Sequence, residues 1–176
     1  TQKFNVKPDI ITMAKALTND AIPMGGVAVT DEIYDTVTNA APEDAIEFFH
    51  GYTYSAHPAA CAAGIATQKI YESEGLFERS AALEDYFLDA VWTLQDHPLV
   101  ADIRGIGLMA GVELVSDGVA GRRGGQMQKA MFWNGLHVKF TGDNAIIAPA
   151  FIAERKHVDE IVEKFRVSLD AALDAK

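Results

Sequence analysis

An α/β fold is predicted for this chain, and three patterns predict it. Two short apolar stretches, residues 9–13 and 25–29, flank a loop that carries Lys15. Runs of that length and composition, bounded by turn residues, read as strands. Residues 59–71 and the stretch from about Glu78 then place apolar side chains at helical spacing. The C-terminal half alternates short strand-like runs with helical ones, which reads as a separate α+β unit.

The elements follow in order. Ile10-Ile11-Thr12-Met13 is β-branched and reads as a buried strand, with Lys15 just past its carboxyl end. Thr30-Asp31-Glu32 starts a helix, with Thr30 as N-cap and acids in the first turn. Asn39 to Glu47 is a polar loop containing Pro42. Pro58 suits a first helical turn, and Ala59 to Tyr71 continues it. Its face Ala59, Ala60, Ala63, Gly64, Thr67 is small, so this helix can approach a neighbour closely. A second helix carries Leu83, Phe87, Ala90 and Leu94 on one stripe and ends at His97-Pro98. The domain boundary falls between these helices, giving units 1–76 and 77–176.

In the second unit, Val100 to Ile106 and Leu108 to Val115 are strand-like. Ser116 to Gly125, with four glycines and two adjacent arginines, is predicted as a loop. Met127, Ala130 and Met131 mark a short helix stopped by Asn134-Gly135. Val138-Lys139-Phe140 and Ala145 to Ala148 are short strands joined by the turn-forming Thr141-Gly142-Asp143-Asn144. Val158, Ile161, Val162, Phe165, Leu169 and Leu173 give the last helix a core-facing stripe.

Composition narrows the function. The chain has 176 residues, 49% of them apolar, enough for a sizeable core. Fifteen basic against 25 acidic residues give a net charge of −10, which argues against a nucleic-acid or anionic-membrane surface. No apolar run is long enough to span a bilayer, and Thr1-Gln2-Lys3-Phe4 is no signal peptide. The lone cysteine, Cys61, reads as a small buried hydrophobe in an Ala-rich helix and fits a reducing compartment. A cytoplasmic protein is the expectation.

Lys15 carries the strongest chemical signal. It lies in the run Pro8-Asp9-Ile10-Ile11-Thr12-Met13-Ala14-Lys15-Ala16-Leu17-Thr18-Asn19, and Ile22-Pro23-Met24-Gly25-Gly26-Val27 follows. In open α/β sheets ligands bind at that strand edge. A desolvated lysine has a depressed pKa and becomes a nucleophile able to form a Schiff base. The alternative is a lysine that snorkels to the surface past Met13 and Ala14.

Other motifs carry competing readings too. Gly105-Ile106-Gly107-Leu108-Met109-Ala110 matches a dinucleotide fingerprint in letters only. That mechanism needs a helix after the glycines, and Val112-Glu113-Leu114-Val115 reads as a strand. His50-Gly51-Tyr52-Thr53 offers a hydroxyl and backbone amides in a glycine-containing turn, which suits a phosphate dianion; an ordinary loop beside a helix is the alternative. His50 and His57 are not spaced as metal ligands, so no metal is expected and both receive structural or interface roles. Lys139 reads equally as a surface lysine.

Four blocks, in order and spanning nearly the whole chain, carry a resemblance. They are the Lys15 segment, Phe48 through Gly64, Asp102 through Leu114, and Gly135 through Pro149. Together they resemble class III aminotransferases, most of all the omega-amino-acid (β-alanine type):pyruvate transaminases. The resemblance implies fold-type I, with pyridoxal 5'-phosphate bound to Lys15 as a Schiff base. Residues 1–76 would be the C-terminal part of the large cofactor domain and residues 77–176 the small α+β domain. Complete members are well over twice this length, so the chain reads as a C-terminal fragment, inactive alone. The absent part would supply the aspartate facing the pyridinium nitrogen, the aromatic stacked on the ring, and a Gly-Ser phosphate loop.

The resemblance also implies that Thr53, helped by the Tyr52 amide, reaches the cofactor phosphate of a partner subunit in a homodimer or larger assembly. Substrates would be an amine or omega-amino acid and pyruvate or a similar keto acid. Lys139 stands where relatives often have an arginine that binds a substrate carboxylate. Lysine keeps the charge but loses the planar fork. Pro149-Ala150 replaces the usual Pro-Pro. An aminomutase of the same family, or a non-catalytic dimerising domain, are the alternatives.

Overall fold

The computed structural model describes residues 2–46, 48 and 50–174. Glu47, the predicted end of the polar loop, and Phe49, in the second block, lie outside the described residues. The chain divides into two compact units, Thr1–Glu74 and Gly75–Lys176.

In the first unit, β1 (Ile10–Met13) pairs antiparallel with β2 (Gly26–Val29), Ile10 opposite Val29 and Met13 opposite Gly26. The predicted burial of the first strand is corrected. Ile10 and Ile11, on opposite faces of the ribbon, are 54% and 41% exposed, and Val27 is 65% exposed. Such continuous apolar strands belong to sheets covered on both faces. Among the described residues each strand pairs only with the other, and a two-stranded ribbon cannot bury both faces.

Helix α1 (Asp31–Asn39) starts where predicted, with Thr30 extended at the N-cap, but the Thr30 hydroxyl makes no capping bond. Helix α2 (Pro58–Ser73) has Pro58 in its first turn. The His57 ring nitrogen Nδ1 accepts the Ala60 N–H at 3.4 Å. Ala60, Gly64 and Thr67 are its buried face. Cys61 is half-buried, not buried as predicted, because it lies one position off that face.

The second unit holds the core. Helix α3 (Leu76–Trp92) buries Leu76, Leu83, Phe87 and Val91. It ends five residues before His97. The Thr93 N–H turns back to the Ala90 carbonyl, Thr93 Oγ1 bonds the same carbonyl at 2.7 Å, and tight turns carry the chain onward. His97 is buried instead as an anchor. Its Nδ1 accepts the Leu99 N–H at 3.1 Å, and its Nε2 lies 3.3 Å from the Asp170 carboxylate without hydrogen-bond alignment.

Strands β3 (Val100–Ile106), β4 (Met109–Leu114), β5 (Lys139–Thr141) and β6 (Asn144–Ile147) form an antiparallel sheet of order β3-β4-β6-β5. Gly107, at φ +59°, turns the β3–β4 hairpin, so the glycine motif is a bend between paired strands. Ala110, Val112, Leu114, Ala145 and Ile147 alternate with more exposed neighbours. They face a core completed by Phe87 and Val91 of α3, Met127 and Met131 of α4 (Arg122–Trp133), and Val158, Phe165 and Leu169 of α5 (Arg155–Asp174). The helices thus cover one sheet face.

The predicted loop from Ser116 to Gly125 is also corrected. Helix α4 already begins at Arg122 and runs through Gly124 and Gly125 to its stop at Asn134. The low helix propensity of two glycines is overridden from outside the helix. Asp143 Oδ1 accepts the Gly124 N–H at 2.8 Å and Oδ2 the Gly121 N–H at 3.3 Å, so a carboxylate caps the helix N-terminus.

Candidate active site

The loop after β1 begins with Ala14 in extended conformation, and Lys15 then opens a single 3-10 turn, Lys15–Leu17. Lys15 adopts φ +53°, in the left-handed region that a residue with a Cβ rarely occupies. Asn19 and Asp20 share that region at φ +49° and +59°. The Lys15 carbonyl accepts two N–H groups, from Thr18 at 3.2 Å and from Asp20 at 3.3 Å. The buried Thr18 donates its hydroxyl to the Ile22 carbonyl at 2.7 Å. From α2, Tyr71 donates its hydroxyl to the Ala16 carbonyl at 2.8 Å, and Gln68 reaches the Leu17 carbonyl at 3.5 Å.

The small face predicted for α2 meets this loop. A Cβ on Gly64 would stand 3.5 Å from the Met24 sulfur and 3.7 Å from the Leu17 carbonyl oxygen. Lys15 itself is exposed. Desolvation, one of the two sequence readings, is not supplied among the described residues; backbone strain at the lysine is what they supply. Such strain clusters at functional sites.

A cleft of about 870 Å³ lies in the same unit. The segment Ile22–Gly25 forms one wall, Thr53–His57 the other, and Ala60 and Cys61 line it from α2. The hydroxyl-bearing residues Thr53 and Ser55 are among those that line it. Lys15 is not among the lining residues of this cleft. Tyr52 is about half exposed, its ring meeting His50 edge-on at 4.9 Å. His50 also stacks at 5.8 Å on Phe48. Ala56, in this segment, holds φ +57°, again in the left-handed region.

Among the described residues no cluster of His, Cys, Asp or Glu is arranged to hold a metal ion. Nor is any helix among them long and apolar enough to cross a membrane. In the second unit, Lys139 opens β5 opposite Ile146 and is exposed.

Two residues escaped the sequence reading. Ser55 shares the cleft with Thr53, and its signal was the hydroxyl-rich turn Gly51-Tyr52-Thr53-Tyr54-Ser55. Tyr71 extends the stripe Ala60, Gly64, Thr67 by one further helical step, a period that could have marked it.

The donor set fits pyridoxal 5'-phosphate. A primary amine on a constrained backbone suits the aldehyde, and a turn with hydroxyls and amides suits the phosphate. Comparison with known proteins agrees. Residues 1–169 match the family described as Aminotransferase class-III. The chain is 46% identical over 94% of its length to an omega-aminotransferase of Caulobacter vibrioides, covering 38% of that protein. It is 41% identical over 91% of its length to a beta-alanine–pyruvate aminotransferase of Pseudomonas aeruginosa, covering 36% of it.

Among solved structures, an (S)-enantioselective omega-transaminase from Thermomicrobium roseum superposes with a TM-score of 0.87 at 36% identity. That match covers 98% of this chain and 39% of the other. A transaminase solved with L-alanine gives a TM-score of 0.92 at 28% identity, over 99% of this chain and 42% of the other. The fold is therefore that of fold-type I transaminases over the matched part, and the chain spans somewhat over a third of the length of the curated relatives it matches. The chain belongs to the class III aminotransferase family.

Proposed function

We propose that the whole protein is a pyridoxal-phosphate-dependent aminotransferase, moving an amino group from an omega-amino acid or primary amine to pyruvate or a similar keto acid. Residues 1–76 are then the C-terminal part of its large domain and residues 77–176 its small domain. The observation that carries this reading is Lys15, held at φ +53° immediately beyond a strand end in a chain that matches the family along residues 1–169. The relatives' names support the substrate class.

Pyridoxal phosphate, when bound, supplies an electron sink for the carbon that loses its proton. The chain's residues do the rest. The Lys15 amine would hold the cofactor through its aldehyde and would be freed for catalysis when substrate binds. Its Nζ would then act as the base that takes the proton from the substrate's amine-bearing carbon and gives it back in the second half of the transfer. Thr53 through its hydroxyl, and Tyr52 through its backbone N–H, would hold the phosphate of the cofactor in a partner subunit. The shared site implies a homodimer or larger assembly. Lys139 attracts a substrate carboxylate as a point charge. In this reading the chain alone, somewhat over a third of its relatives' length, is inactive.

Lys15→Ala in the whole protein tests the reading. Turnover should fall by at least about a thousandfold, since the covalent anchor and the proton-transferring group vanish together. Far-ultraviolet circular dichroism should stay unchanged. Turnover near wild type would remove Lys15 from the mechanism.

A further inference from the structure

The left-handed backbone at Lys15 has to be held by something, because for a residue with a Cβ it is disfavoured by about 1–2 kcal/mol. The loop supplies part of the restraint. Thr18 and Asp20 point their N–H groups at the Lys15 carbonyl, and Thr18 ties its hydroxyl to Ile22. These bonds close the loop on itself but do not anchor it to a rigid element. Helix α2 does. Ala60, Gly64, Thr67 and Tyr71 recur at steps of four, three and four, which places them on one helix face. The first three are buried, and their small size lets the helix backbone approach the loop. Tyr71, the long side chain at the end of the stripe, then reaches the Ala16 carbonyl at 2.8 Å.

We propose that Tyr71 is a positioning residue for Lys15: its hydroxyl, carried on α2, fixes the peptide unit after Ala16 and so holds the strained backbone that aims the lysine. This rests on the reading of Lys15 given above. The peptide units on either side of Ala16 are both restrained, one by Thr18 and Asp20, the other by Tyr71. Lys15 cannot relax toward negative φ by turning the Ala14–Lys15 peptide without breaking the bond from the Leu17 N–H to the Ala14 carbonyl at 3.2 Å, and that N–H belongs to the same peptide unit whose carbonyl Tyr71 holds. Gln68, at 3.5 Å from the Leu17 carbonyl, adds a weaker tie of the same kind. Phenylalanine at position 71 would keep the ring and lose only the donor, which separates the hydrogen bond from packing.

The test uses the whole protein, with and without pyridoxal phosphate, carrying Tyr71→Phe. Amide exchange at Thr18 and Asp20 should accelerate about five- to tenfold, the factor that one hydrogen bond of ordinary net strength commands. Exchange in α3 and the β3–β6 sheet should not change. In the loaded enzyme, kcat should fall by a similar factor with KM and thermal midpoint held. The pH midpoint of the cofactor's visible absorbance should shift, because the lysine nitrogen is aimed differently. Gln68→Ala should move the same readouts by less.

Wild-type exchange at Thr18 and Asp20, or a kcat loss accompanied by an equal fall in thermal stability and no shift in the pH midpoint, would overturn the role of Tyr71. The exchange result judges the clamp by itself. Retained turnover in Lys15→Ala would instead overturn the underlying assignment of Lys15, whatever Tyr71→Phe does.

Discussion

Gly124 on α4 lies against Gly142 in the β5–β6 turn so closely that a Cβ on Gly124 would stand 2.0 Å from the Gly142 carbonyl oxygen. The neighbouring Asp143 completes the joint by accepting the Gly124 N–H. Helix and hairpin meet backbone to backbone, and the turn that follows Lys139 is locked to α4.

This joint predicts opposite outcomes for adjacent glycines. Gly124→Ala should destabilise the protein by about 3 kcal/mol or more, because a backbone oxygen cannot move aside as a flexible side chain does. A methyl group on Gly125 would meet nothing within 4 Å, so Gly125→Ala should stabilise by up to about 1 kcal/mol through helix propensity. Urea denaturation of the two variants checks the pair; equal signs would show that the close approach is relieved in solution.

Ala56 predicts a stabilising substitution in the first unit. Its φ of +57° is strained for alanine and easy for glycine. Ala56→Gly should raise stability by about 0.5–1 kcal/mol after the greater chain entropy of glycine is counted. Thermal denaturation of the whole protein measures this, and a lowered midpoint would mean that the segment is not held at positive φ.

Thr53 should contribute to cofactor affinity across a subunit boundary. One hydrogen bond to a charged phosphate is worth about 1.5–3 kcal/mol, so Thr53→Ala should release pyridoxal phosphate more readily on dialysis. Mixing Lys15→Ala subunits with Thr53→Ala subunits gives the sharper reading. If the site is shared, each mixed dimer holds one intact site and one doubly damaged site, and activity reappears. If both residues serve one subunit's cofactor, no intact site can form.

Lys139 should behave as a point charge toward carboxylate substrates. Holding its flexible stem costs up to about 2 kcal/mol of side-chain entropy, whereas arginine presents a preformed fork. Lys139→Arg should therefore raise kcat/KM for an omega-amino acid and leave an aryl-alkyl amine unchanged. Equal effects on both, or none on either, would make Lys139 an ordinary surface lysine.

The order and type of nearly every element, and the place of Lys15, were legible in the residues alone. Helical and strand periods, the Pro58 start and the Asn134-Gly135 stop are local signals, written within a few residues of where they act. The blocks around Lys15 and Thr53 likewise carried the family resemblance without any knowledge of contacts.

Long-range packing settled what local signals cannot encode. A glycine pair that reads as loop became the first turn of α4, because Asp143, about twenty residues away, supplies the acceptor and Gly142 occupies the space a side chain would need. The apolar pattern of β1 asks for a sheet covered on both faces, yet its strand is exposed here, since burial depends on what packs against it and not on its own residues. The left-handed φ of Lys15 and the tie from Tyr71 were equally invisible, because a backbone conformation at a non-glycine residue is imposed by partners that only folding brings near.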